Sequence, residues 1–170
     1  MKLILDQLFE KGFVEVDQST EKSVFLVDPT SENSWAILAK ANPKIKIYFE
    51  HEGVIERYFP NIPETYFQLL DATNKQLDAI LEQPQGFATY LQEQSQHYCV
   101  LAIDNALKQL LQRFRKPLAL VVFSTSMLNT EQYQVLLRPE NQKIQLRIAD
   151  QNEPSLIHFK ADGSFKMLKK

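Results

Sequence analysis

Glycine is scarce in this chain of 170 residues: there are four, Gly12, Gly53, Gly86 and Gly163, and no two are neighbours. Loops that cradle phosphate through converging backbone N–H groups need clustered glycines. A P-loop, a G-x-G-x-x-G dinucleotide turn and a G-x-S-x-G nucleophile elbow are therefore excluded. Cysteine is scarcer still. Cys99 stands alone, so no intrachain disulfide and no cysteine-based zinc site can form, and a reducing, cytoplasmic setting is expected. Long apolar runs are missing too. Asp6 breaks the N-terminal run after Leu3-Ile4-Leu5, and Leu118 to Phe123 is far too short to span a membrane.

What remains is the composition of one globular domain over residues 1–170, 44% hydrophobic and 24% charged, with a net charge of −2. That small total hides a polarity. Residues 1–98 carry 8 Lys/Arg against 15 Asp/Glu, and residues 99–170 carry 11 against 6. Such an imbalance can orient an incoming partner, or it can hold the two halves together.

The element pattern is that of an α+β fold: a largely antiparallel sheet with an N-terminal helix, a central helical insertion and a C-terminal β-meander. Residues 2–11 read as a helix closed by Gly12. Strands are expected over 13–17, 23–27 and 35–40, followed by a hairpin of 45–49 and 54–59 turning at His51-Glu52-Gly53. Pro63 opens a helix whose stripe of Tyr66, Leu70, Thr73, Leu77 and Ile80 extends to residue 82, and a Gln-rich helix follows over 87–96. Residues 97–115 admit two readings. They form one continuing or kinked helix, the slightly favoured version, or a strand to Ile103 followed by a helix capped by Asp104. Leu118 to Phe123 is a buried strand. Beyond it, 133–137, 143–148, 156–160 and 164–168 form the meander, with Asp162-Gly163 at its last turn.

Few groups invite chemistry. Glu50-His51-Glu52 falls in an expected exposed turn, and three scattered histidines make no metal signature. His97, Cys99 and Asp104 lie close in sequence, yet a cysteine beside Val100 and Leu101 is ordinarily a small core residue. A stronger case rests on Asp104, Lys116, Ser124, Thr125 and Ser126. If 98–126 were a β-α-β unit, Asp104 and the three hydroxyls would meet at the carboxyl edge of two parallel strands, where small ligands bind, with Lys116 as an anion contact.

Lys116-Pro117-Leu118 with Ser124-Thr125-Ser126-Met127-Leu128-Asn129 resembles the Lys-Pro-Leu…Ser-x-Asn-x-Ser segment of threonylcarbamoyl-adenylate synthases. Pro29-Thr30 and Pro154-Ser155 follow that family's order. The likeness covers about a dozen of the 170 positions. The paired Lys-x-Arg that would hold triphosphate and the Gly-Pro segment are absent.

On balance the sequence predicts an intracellular, non-enzymatic protein-interaction module of regulatory, chaperone-like or immunity type. Its expected partner is another protein, with no cofactor, metal or membrane. Basic residues cluster at Lys108, Arg113, Arg115 and Lys116, and at Lys160, Lys166, Lys169 and Lys170, but with Phe114 on the core stripe and a slightly acidic total, nucleic acid is not the favoured partner. The alternative is a small-ligand or nucleotide-binding enzyme with its site at the ends of the strands preceding Asp104 and Ser124.

Overall fold

A computed structural model describes residues 2–18, 22–38, 43–73, 76–124 and 155–169. The order is α1 (Lys2–Lys11), β1 (Phe13–Gln18), β2 (Lys22–Val27), α2 (Glu32–Leu38), β3 (Lys44–Phe49), α3 (Glu52–Tyr58) and α4 (Glu64–Ala72). There follow β4 (Leu77–Leu81), α5 (Thr89–Gln92), β5 (His97–Leu101), α6 (Asn105–Phe114), β6 (Leu118–Ser124), β7 (Ser155–Phe159) and β8 (Phe165–Lys169). The strands form one sheet in the order β1-β2-β6-β3-β5-β4-β7-β8. Two pairs, β3 with β5 and β4 with β7, are parallel, and the others among the described residues are antiparallel. The fold is thus α+β with a mostly antiparallel mixed sheet.

Alternation along each strand supplies two cores. Phe25, Val27, Ile47, Phe49, Cys99, Val121 and Phe123 face one side, under Trp35, Leu38, Ile55, Phe59, Tyr66 and Leu91 from α2 to α5. Leu26, Tyr48, Val100 and Leu118 face the other, under Ile4 and Leu8 of α1 and Leu107, Leu110, Leu111 and Phe114 of α6. Helices therefore cover both faces of the sheet.

Several elements differ from the sequence expectation for identifiable reasons. The segment around Trp35 is a helix, because Ser31 Oγ accepts from the Ser34 N–H (3.4 Å) and the Trp35 indole donates to the Asp28 carbonyl (3.0 Å). The second arm of the supposed hairpin is α3, whose N-cap His51 accepts the Gly53 N–H through Nδ1. Val54, Ile55, Tyr58 and Phe59 satisfy a helical repeat as well as a strand's. The helical insertion is broken by β4 and β5, and the Gln-rich helix shrinks to four residues. Residues 97–115 follow the strand-then-helix version, with Asp104 capping α6 through bonds from the Ala106 and Leu107 N–H groups. Of the meander, its last hairpin is present as β7 and β8, while 133–137 and 143–148 lie outside the described residues.

Candidate functional site

The topology decides which candidate residues can meet. Between β5 and β6 lies β3, parallel to β5 through Phe49–Leu101 and antiparallel to β6 through Tyr48–Leu118. The C-terminal end of β5 and the N-terminal end of β6 therefore share one edge of the sheet. Asp104 and Lys116 belong to that edge. Ser124 ends β6 at the opposite edge, beside Lys22. The β-α-β unit with two adjacent parallel strands does not form, and Asp104 is not brought to Ser124. Thr125 and Ser126 lie outside the described residues.

Lys116 is held by a built cluster. Its ammonium donates to Asp28 Oδ2 (3.0 Å) and to Thr30 Oγ1 (3.2 Å), and lies 5.5 Å from the centre of the Phe114 ring. The other oxygen of Asp28 accepts both the N–H (2.8 Å) and the hydroxyl (2.7 Å) of Thr30, closing an Asx turn. The same loop is fixed from behind. The Asp28 N–H donates to Gly12 O (2.8 Å), and Ser34 Oγ donates to Lys11 O (3.1 Å). Gly12 is required there: at φ +82° a Cβ would sit 2.5 Å from Ser34 Oγ and 2.6 Å from Ser31 Oγ. Two segments singled out by the family resemblance, Pro29-Thr30 and Lys116-Pro117-Leu118, are thus in direct contact.

Beside this cluster opens a cleft of about 290 Å³. Glu50, His51, Val54 and Arg57 line one wall, from the end of β3 and from α3. Leu111, Gln112, Arg115 and Lys116 line the other, from α6 and the turn into β6. Arg57 and Arg115 make no ion pair or side-chain hydrogen bond among the described residues, whereas Glu50 is 3.7 Å from His51 Nε2. Among the described residues, three cations thus share one concavity with a single carboxylate, and two of them are unmatched. Behind the wall, Tyr58 stacks on Phe87 at 5.1 Å. Burial raises its phenol above the usual range, against the lowering pull of Arg57 and Lys116. Such a cleft can take an anion through charge-assisted bonds, each worth about 1.5–3 kcal/mol.

The remaining candidates have structural duties. Burial raises the Cys99 thiol well above its ordinary value, and the thiol donates to its neighbour's carbonyl, His97 O. Burial likewise lowers the His97 pKa, and the ring nitrogen faces Gln94 O at 3.2 Å. Asp104 is occupied as a helix cap, so no thiol–imidazole–carboxylate relay is assembled. Among the described residues, no group of three or more His, Cys, Asp or Glu side chains could hold a metal ion. No described helix is long and apolar enough to cross a membrane. Arg57 and Arg115 line the cleft but are absent from the candidates that the sequence offers. Arg57 falls in an expected strand, whereas α3 places it on the cleft wall, and Arg115 reads as one of several basic residues.

No protein-family model and no curated protein sequence matches the chain. Solved structures do. E. coli YciO is similar over 99% of this chain and 89% of its own, with a TM-score of 0.63 and 13% identity. HypF in its phosphate- and nucleotide-bound form is similar over 98% of this chain, with a TM-score of 0.60 and 15% identity. A doubly substituted variant of P. abyssi Sua5 is similar over 92%, with a TM-score of 0.61 and 11% identity. The chain spans 28% of that HypF and 52% of that Sua5. At these identities the likeness is one of fold. It corrects the expectation of a non-enzymatic interaction module whose partner is another protein, and the setting aside of nucleic acid.

Proposed function

We propose that this chain is a phosphate- and nucleotide-binding domain, with the ligand's phosphate in the cleft of Arg57, Arg115 and Lys116. The observation that carries the reading is two arginines, unmatched among the described residues, that line one cleft with a lysine already held in place by Asp28 and Thr30. A preorganised cation spends little side-chain entropy on binding, and arginine forks suit phosphate oxygens. Fold likeness to the phosphate- and nucleotide-bound HypF supports the reading, as does the contact between the Pro29-Thr30 and Lys116-Pro117-Leu118 segments.

Calorimetric titration of phosphate, AMP and ATP at fixed ionic strength tests it. Saturable binding that weakens about tenfold or more in Arg57→Gln is the expected result. Absence of binding by all three, or equal affinity in Arg57→Gln, contradicts the assignment.

A further inference from the structure

Arg115 holds its backbone at φ 64°, ψ 20°, the left-handed region in which an L side chain is crowded and glycine is not. The fold demands that conformation. The Arg115 N–H closes the last turn of α6 on Leu111 O (2.8 Å), and Lys116 precedes a proline, which disfavours a helical backbone there. The chain must therefore pass from helix to extended backbone at this point. Only the backbone is needed for this, so glycine would serve as well and at lower conformational cost. Yet the sequence places there a long cation that lines the cleft and has no partner among the described residues. Its neighbour Arg113, exposed on α6, is not part of the cleft wall.

We propose that Arg115 is a ligand-contacting residue whose guanidinium grips one phosphate of a diphosphate group, the second being taken by Arg57 across the cleft. The inference rests on the phosphate-binding reading and deepens it. Diphosphate is favoured over a lone phosphate because the cations stand on two separate elements, α3 and the α6–β6 turn. The volume of about 290 Å³ also lies near the lower end of small-molecule sites, more than one phosphate requires. Among the described residues, the His51 imidazole is the one ring that lines the cleft, so the phosphate chain, rather than stacking of a base, supplies the affinity.

The test titrates inorganic pyrophosphate and orthophosphate into wild type, Arg115→Gly and Arg113→Gln at fixed ionic strength, with Tm read alongside. Wild type is expected to bind pyrophosphate more tightly than orthophosphate. Arg115→Gly is expected to weaken pyrophosphate binding tenfold or more with a Tm no lower than wild type, and Arg113→Gln to stay within twofold. Wild-type affinity in Arg115→Gly, or a clear fall in its Tm, overturns the inference and leaves Arg115 a helix cap. Failure of wild type to bind either anion overturns the phosphate reading itself, and this inference with it.

Discussion

The two ends of β3 each open onto a cleft, and the clefts differ in kind. At the C-terminal end, Glu50 and His51 lead into the cation-lined cleft. At the N-terminal end, Pro43, Ile45 and Ile47 border a smaller one of about 190 Å³, lined by Tyr90, Leu91, Gln94, Gln96, His97 and Tyr98. Among the described residues, no charged side chain lines this second cleft. Much of its polarity is turned inward: Gln94 Nε2 donates to Tyr90 O (3.4 Å), and the His97 ring faces Gln94 O. At the first cleft the fixed groups are cations with bonding capacity to spare. A concavity becomes a candidate site through unspent polar capacity, and not through volume alone.

The largest effect should come from neutralising the charged end. Arg57→Gln together with Lys116→Gln is expected to abolish measurable pyrophosphate binding, each lost charge-assisted contact costing about 1.5–3 kcal/mol. Calorimetry reads this directly, and retained affinity in the double variant would erase the distinction between the two ends.

Asp28→Asn separates the cluster's structural duty from its ligand duty. The amide can still accept from Thr30, while the ion pair to Lys116 is lost. Lys116 is 40% exposed, so the destabilisation seen in urea unfolding should be modest, about 1 kcal/mol. Pyrophosphate affinity should fall, because Lys116 loses the ion pair that holds it in place. A rise in affinity would mean that Asp28 competes with the ligand for Lys116 more than it positions it.

The uncharged end should answer to pH. Burial lowers the His97 pKa below the ordinary imidazole value of 6.5, so the unfolded chain binds the proton more readily than the folded one. Stability from this group is present above pH 6.5 and is lost as pH falls from there through the folded value. In His97→Phe that part of the pH dependence should vanish, with the ring still able to meet Phe59 and Phe87. An unchanged slope in urea midpoints between pH 7 and 5 would place the dependence elsewhere. The smallest effect is expected for Gln96→Ala, an exposed residue of the same cleft. It should stay within about 0.5 kcal/mol in urea unfolding and leave anion affinity unaltered.

Much of the sheet was legible in the sequence, because β1, β2, β3 and β6 carry β-branched and aromatic runs with turn residues between them. The Asp104 cap was legible as an alternative through its position ahead of the Leu107–Phe114 stripe. The helices α2 and α3 were not. Trp35 and Ile37, or Val54 and Ile55, favour strands by residue type, while their helical state depends on tertiary contacts such as the Trp35 indole on Asp28 O. Leu77 and Ile80 hid β4 by continuing the helical stripe of Tyr66, Leu70 and Thr73. Asp78 within that strand is satisfied by Tyr98 Oη (2.7 Å) and Gln76 Nε2 (3.0 Å). Lys116 could be singled out from sequence as a candidate. Its neighbours Asp28 and Arg57 could not, since strand order and the α3 helix alone bring them to it.

The most direct measurement is a two-dimensional amide NMR titration of the wild-type chain with pyrophosphate. Saturable shifts concentrated at residues 50–57 and 111–116, with residues 43–47 and 90–98 unmoved, are the predicted result. Shifts concentrated at the second set, or no saturable shifts at all, would contradict the assignment of the ligand's phosphate to the Arg57–Arg115–Lys116 cleft.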